Sequence, residues 1–98
     1  MQGQVMYVDR FGNLITNIPL GMMAEHLGDV DRMNVRIGRH DLGAPAGTYG
    51  SVETGQALCL INSMSLLEIA VNCGRACDVL RADIGERVCV TRTGPSEQ

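Results

Sequence analysis

The stretch DRFGNLITNI, residues 9–18, separates the apolar run VMYV from the run LGMMAEHLG, whose apolar positions have helical spacing. Parts of the stretch have the apolar character of a strand, and Gly12 lies in its middle. Four polar residues interrupt it: Asp9, Asn13, Thr16 and Asn17. Because glycine permits sharp backbone corners, the stretch predicts two short strands joined by a polar corner rather than one core strand.

The rest of the chain predicts further short strands, each bounded by polar or Gly-containing turns. The predicted strands are QVMYVDR (4–10), LITNI (14–18), VDRMNVRIG (30–38), ALCLI (57–61), LLEIAV (66–71) and ERVCVTR (86–92). One helix is predicted for LGMMAEHLG, with Pro19 in its first turn and Gly28 at its end. A second helix is predicted at residues 72–80, with Asn72 as N-cap.

Length and composition predict a single small domain. The chain has 98 residues, of which 45% are hydrophobic and 19% charged, as in an ordinary globular protein. Residues 39–55 are rich in Gly, Ala and Pro and predict a long connection with a short strand near Tyr49. We expect a mainly β fold, a small antiparallel barrel or sandwich with one or two short helices, over residues 1–93. Residues 94–98 are expected to form a flexible tail.

The charge pattern argues against nucleic-acid and membrane partners. The net charge is −3, and all eight basic residues are arginines spread along the chain, whereas a nucleic-acid surface needs a basic cluster. Aromatic residues make up 3%, too few for base-stacking platforms. No apolar run approaches the roughly 20 residues that span a bilayer, and the first residues do not resemble a signal peptide. We therefore expect a cytoplasmic protein.

Motifs for catalysis or metal binding are not recognisable. GxSxG, P-loop and GxGxxG patterns are absent, and His26 and His40 are expected to have surface or structural roles. The four cysteines include no CxxC pair, so we expect buried free thiols. A zinc site built on Cys73 and Cys77 would lack a fourth ligand, and no metal is expected. The chain taken alone offers no catalytic residue.

Two polar segments remain as candidate binding sites. In DRFGN, Phe11 offers a flat apolar face and Asn13 offers a donor and an acceptor, which suits a planar heterocycle such as a purine. Asp9 offers a carboxylate for an ammonium group. The alternative is a turn whose polar side chains bind local backbone. The second segment is INSMSLLEIAVN, where the alternative is a hairpin turn followed by an outward-facing Glu68.

The two segments together resemble the C-terminal domain of the S-adenosylmethionine hydroxide adenosyltransferase family, the S-adenosylmethionine hydrolases related to fluorinase and chlorinase. The resemblance runs from the first strand to GERVCVTR. It implies an enzyme in which water attacks the ribose C5′ of S-adenosylmethionine, giving adenosine and methionine. It also implies a homotrimer, with each active site between the N-terminal α/β domain of one subunit and the β domain of its neighbour. S-adenosylmethionine is then the substrate, and no cofactor is expected.

The resemblance also implies roles for individual residues. Asp9 matches the aspartate that meets the methionine ammonium group, and Phe11 and Asn13 match residues that pack on and hydrogen-bond the adenine. Ser63 matches a serine that contacts the methionine part. Tyr49 lies where the family has an aromatic residue beside the adenine, and at Cys73 a backbone group would meet the adenine edge.

Two positions depart from the family pattern. Halogenating relatives have arginine at the position of Met64, so a carboxylate clamp from that position is lost and hydrolysis is favoured over halogenation. Many relatives have glycine where Ser65 stands, which affects the expected backbone geometry of the turn.

The family's water-positioning groups lie on the N-terminal domain, which we do not find in this chain. We therefore expect this chain alone not to turn over S-adenosylmethionine. The alternative is a non-catalytic β module that binds a nucleoside-like ligand or mediates oligomerisation.

Overall fold

Seven strands and two short helices make up the part of the chain that the computed structural model describes, residues 1–93. The strands are β1 (Gln2–Val8), β2 (Leu14–Pro19), β3 (Met33–Ile37), β4 (His40–Gly43), β5 (Ala57–Ile61), β6 (Leu66–Val71) and β7 (Arg87–Arg92). The helices are α1 (Leu20–Leu27) and α2 (Ala76–Val79). The tail expected at residues 94–98 lies outside the described residues.

The strands form one antiparallel sheet in the order β4-β3-β7-β1-β2-β6-β5. Its two edges approach each other just after β4, where the Ala46 amide donates to the Cys59 carbonyl of β5 at 2.7 Å. Ala46 also forms an isolated bridge with Leu60. The sheet is therefore a nearly closed barrel, which confirms the prediction of a mainly β fold with antiparallel strands and short helices.

Alternate residues of each strand fill the barrel interior, as the period of two requires. The interior cluster includes Leu14 of β2, Leu67 and Ile69 of β6, and Val88 and Val90 of β7, all fully buried. Their burial is the main source of stability, at about 1.5–3 kcal/mol for each large aliphatic side chain.

The outer face of β2, β6 and β5 is buried as well. Ile15, Leu58, Glu68 and Ala70 alternate with interior residues and lie outside the interior cluster, yet each has little exposure. Part of the connection between β4 and β5 lies against this region, because Tyr49 bonds to Glu68 and the Asn72 amide donates to the Val52 carbonyl at 2.9 Å. The connection thus encloses polar groups on the outside of the barrel.

Several predicted boundaries were wrong. β4 lies inside the predicted connection, because the two-residue loop at residues 38–39 folds it back onto β3 with Ile37 opposite His40. His40 is therefore a strand residue. Tyr49 lies in a short 3-10 turn, Tyr49–Ser51, and not in a strand.

The start of the second helix and the burial of the cysteines also differ from the predictions. Arg75, not Asn72, precedes the first turn of α2, because Cys73 has a positive φ of 60° that no helix permits. All four cysteines are free, as expected, but only Cys59 is buried. Its burial raises the pKa of the Cys59 thiol to about 12.

Within residues 1–93, no helix combines the length and the apolar character that crossing a bilayer requires.

Candidate ligand-binding site

The first corner, residues 9–13, is a closed loop between β1 and β2. The Asp9 amide donates to the Asn13 carbonyl at 3.0 Å, and the Gly12 amide donates to the Asp9 carbonyl at 2.9 Å. Asp9 Oδ1 accepts from the Phe11 and Asn13 amides, each at 2.9 Å. Asp9 therefore binds local backbone, as the alternative interpretation predicted, and this holds the corner in one conformation.

The corner is attached to the start of α2. The Cys77 amide donates to the Gly12 carbonyl at 3.0 Å, and Arg75 Nη1 donates to the Arg10 carbonyl at 3.0 Å. Gly12 has a φ of +82°, and a Cβ placed there would lie 2.6 Å from the Arg75 Cβ. Glycine is thus required at this position both for conformation and for close packing.

The second corner, residues 62–65, is the turn between β5 and β6. Asn62 Oδ1 accepts from the Met64 amide at 2.9 Å and from the Leu66 amide at 3.1 Å. Ser65 has a φ of 62°, the left-handed conformation that favours glycine. The Asn62 side chain holds the turn together with the Asn62 carbonyl, which accepts from the Ser65 amide at 2.9 Å.

Glu68 connects the second corner to the connection between β4 and β5. Its side chain is only 7% exposed, and its carboxylate accepts from Asn62 Nδ2 and from the Tyr49 hydroxyl, each at 3.1 Å. Glu68 does face outward from the barrel, as the hairpin alternative predicted, but it is covered and not exposed to solvent.

Tyr49 bonds to Glu68 and lies near the first corner, where Asp9 and Asn13 affect its pKa. Burial is the main cause that raises the pKa of Tyr49, followed by the negative charge of Glu68 and the hydrogen bond to it. The charge of Asp9 raises this pKa further, whereas a hydrogen bond with the Asn13 side chain lowers it. Asn13 Nδ2 in turn donates to Asp9 Oδ2 at 3.3 Å. We refer to Asp9, Asn13, Tyr49, Glu68 and Asn62 as the polar network.

The structure brings three of the six residues named from sequence into this network: Asp9, Asn13 and Tyr49. Phe11 adjoins it along the chain, 61% exposed, with the Arg10 guanidinium 4.9 Å from the centre of its ring. Ser63 and Cys73 are exposed, and within residues 1–93 neither side chain bonds to the network. Their proposed roles stay predictions.

Sequence reasoning missed the importance of Asn62 and Glu68 as network members. The available signal was the isolated carboxylate in the apolar run LLEIAV, since a charged residue on a buried strand needs a partner. Metal binding is not indicated, because in the described part of the chain no three His, Cys, Asp or Glu side chains cluster. The network offers hydrogen-bonding groups beside an exposed aromatic ring, which suits a polar heterocycle.

Comparison with known proteins identifies a family. The family model described as the SAM hydroxide adenosyltransferase C-terminal domain matches residues 3–89. A Thermus thermophilus protein named (R)-S-adenosyl-L-methionine hydrolase is 37% identical over 82 residues, which cover 81% of this chain and 28% of that protein. This chain thus spans less than a third of that relative.

Two solved structures share the fold. An uncharacterized conserved protein from Thermotoga maritima has a TM-score of 0.74 and 40% identity, covering 91% of this chain and 35% of its own. A conserved hypothetical protein from Thermus thermophilus has a TM-score of 0.72 and 30% identity, covering 91% of this chain and 34% of its own.

Proposed function

Since this chain belongs to the family of SAM hydroxide adenosyltransferase C-terminal domains, we propose that it forms the adenosyl- and methionine-binding half of an enzyme that hydrolyses S-adenosylmethionine to adenosine and methionine. In that reaction a water oxygen forms a bond to the ribose C5′ while the bond from C5′ to sulfur breaks. The sulfur keeps the electron pair and becomes the thioether of methionine, and the water gives up a proton.

The observation that carries the proposal is the meeting of the two polar corners. They are far apart in the sequence, yet Tyr49, which bonds to Glu68, lies close enough to Asp9 and Asn13 for both to affect its pKa, so the two corners meet beside Phe11. Tyr49 is 43% exposed and Phe11 61% exposed, so two aromatic side chains present surface to a ligand next to buried polar groups. Exposed rings beside a rigid polar network suit the stacking and edge recognition of an adenine.

Within this proposal Phe11 packs on the adenine and Asn13 bonds its edge. Within residues 1–93, Asp9 Oδ2 accepts one hydrogen bond, from Asn13 Nδ2 at 3.3 Å, so it has lone pairs left for the methionine ammonium group. The exposed Ser63 is assigned to the methionine part, and the backbone at Cys73 to the adenine edge. Met64 provides no positive charge for a carboxylate, which favours hydrolysis over halogenation.

We assign the activation of water to an N-terminal α/β domain of the kind that the family resemblance implies, on a neighbouring subunit of a trimer. Supporting this, the network is rich in fixed hydrogen bonds that orient a substrate, but it contains no histidine. S-adenosylmethionine is a substrate here, and the proposal includes no cofactor. The four free cysteines agree with a reducing compartment such as the cytoplasm.

The experiment is a titration of the ¹⁵N-labelled chain with adenosine and, separately, with S-adenosylmethionine. We expect amide shifts at residues 11–13 and around residue 73. Asn13→Ala should weaken adenosine binding about tenfold, since it removes a hydrogen-bonding group worth about 1.4 kcal/mol. The matched control is Asn34→Ala on β3, which pairs with β7 and should leave affinity unchanged.

Shifts spread evenly over the barrel, or equal losses in Asn13→Ala and Asn34→Ala, would contradict the binding site. A second assay measures adenosine release from S-adenosylmethionine by the chain alone, with Asn13→Ala as the blank. Clear turnover above that blank would show that the chain holds its own water-activating groups, contrary to the proposal.

A further inference from the structure

The burial of Glu68 carries a desolvation cost that its position in the sheet does not require. It lies on β6 between Ile15 of β2 and Leu60 of β5, and it is 7% exposed. Removing a carboxylate from water costs free energy that hydrogen bonds recover only in part, and an apolar side chain would fill the same space without that cost. The burial of a carboxylate here points to a role other than stability.

Glu68 sets the direction of the two hydrogen bonds that end on its carboxylate. An ionised carboxylate only accepts, so Asn62 must turn its amide nitrogen towards Glu68, and the single proton of the Tyr49 hydroxyl must point there as well. Asn13 Nδ2 donates one proton to Asp9 Oδ2 at 3.3 Å. The single donor of Tyr49 and one donor of Asn13 are therefore engaged inside the network.

Two acceptors have no hydrogen-bond partner within residues 1–93: one lone pair on the Tyr49 oxygen, whose only proton points to Glu68, and Asn13 Oδ1. A ligand group that donates N–H bonds complements this face. A ligand oxygen at the same place would meet lone pairs and be repelled.

We infer that Glu68 is a specificity-determining positioning residue: by orienting the Tyr49 hydroxyl inwards, it makes the ligand-facing side an acceptor surface that selects an amino group over an oxo group on a purine. This inference rests on the proposed function for the choice of ligand. Glu68 itself does not touch the ligand and acts through Tyr49.

The test compares two nucleosides that differ at the purine 6-position, adenosine with an amino group and inosine with an oxo group. The wild-type chain should bind adenosine about tenfold more tightly than inosine, as measured by ¹⁵N chemical-shift titration. In Glu68→Gln the new amide keeps its size, accepts from Asn62 and donates to the Tyr49 oxygen. The Tyr49 proton is then free to point outwards, so the preference for adenosine should fall about tenfold.

The readout is the ratio of the two dissociation constants, which a general loss of order would not change selectively. Tyr49→Phe alone should also reduce the ratio, because it removes an acceptor, and Glu68→Gln in the Tyr49→Phe background should have no additional effect. If Glu68→Gln does not fold, as judged by its amide spectrum, the ratio in Tyr49→Phe decides, and an unchanged ratio there overturns the inference.

The outcomes separate this inference from the proposed function. Adenosine binding with an unchanged ratio in Glu68→Gln overturns the role of Glu68 but leaves the proposed function intact. A change in ratio that persists in the Tyr49→Phe background also overturns it, because Glu68 would then act by another route. Failure of either nucleoside to bind the wild-type chain overturns the proposed function and this inference together.

Discussion

Replacing Gly12 by alanine tests whether the first corner must be held tightly against α2. Gly12 has a φ of +82°, and an alanine Cβ would lie 2.6 Å from the Arg75 Cβ and 3.0 Å from the Arg75 Cα. These atoms belong to or adjoin the backbone, so a change of rotamer cannot relieve the contact. The corner or the start of α2 must move.

The cost has two parts. Placing an L-residue at positive φ costs about 1–2 kcal/mol. Overpacking costs about 1–3 kcal/mol more. The total, about 2–5 kcal/mol, is a large fraction of the roughly 5–15 kcal/mol by which small domains are stable. Movement would also strain the bond from the Cys77 amide to the Gly12 carbonyl, now 3.0 Å long.

The assay is urea unfolding followed by circular dichroism, with Gly55→Ala and Gly85→Ala as controls. These glycines have φ of +87° and +91°, but a Cβ at either would meet nothing within 4 Å. In these two control variants the free energy of unfolding should fall only by the conformational cost of positive φ, about 1–2 kcal/mol.

A double-mutant cycle isolates the contact itself. In an Arg75→Gly background, where the Cβ and Cγ are gone and only the contact with the Cα at 3.0 Å remains, Gly12→Ala should cost clearly less than in the wild-type background. The reasoning is refuted if Gly12→Ala is as mild as Gly55→Ala in the wild-type background, or if Arg75→Gly does not reduce its cost.

Two further predictions concern buried groups in the barrel. Thr16 Oγ1 donates to the Leu67 carbonyl at 2.7 Å and accepts from the Ile18 amide at 3.2 Å, so Thr16→Val should lower the free energy of unfolding by about 1–3 kcal/mol in urea titrations. If Thr16→Val lowers the free energy of unfolding no more than the surface substitution Thr91→Val, the prediction is wrong. The second prediction concerns alkaline pH, because the pKa of the Cys59 thiol is raised from 9.0 to about 12. Below pH 9 the thiol is protonated in both the folded and the unfolded chain, and stability does not depend on it. Between pH 9 and 12 only the unfolded chain loses this proton, so the free energy of unfolding should fall by about 4 kcal/mol at 1.36 kcal/mol per pH unit. Cys59→Ala should flatten this pH dependence of unfolding, and an equally steep fall in Cys59→Ala would show that other groups cause it.

The strands that the sequence predicted well are those whose pattern is local. β2, β5 and β6 were predicted to within one residue, because continuous apolar runs end abruptly at polar turns. β4 was missed, because HDLG has no strand pattern of its own and is ordered by pairing with β3. The positive φ of Cys73, which delays α2, is likewise set by the contacts of its turn.

For the candidate site, the sequence by itself determined which residues have the chemistry. Asp9, Phe11 and Asn13 form a polar and aromatic corner around a glycine, and that local pattern is legible without a structure. Only the tertiary structure decided that Tyr49 and Glu68 complete it, because their meeting depends on the connection after β4 lying against the outer face of β6. Local sequence controls backbone turns and strand patterns, whereas the partner of a buried carboxylate is chosen by how distant segments pack.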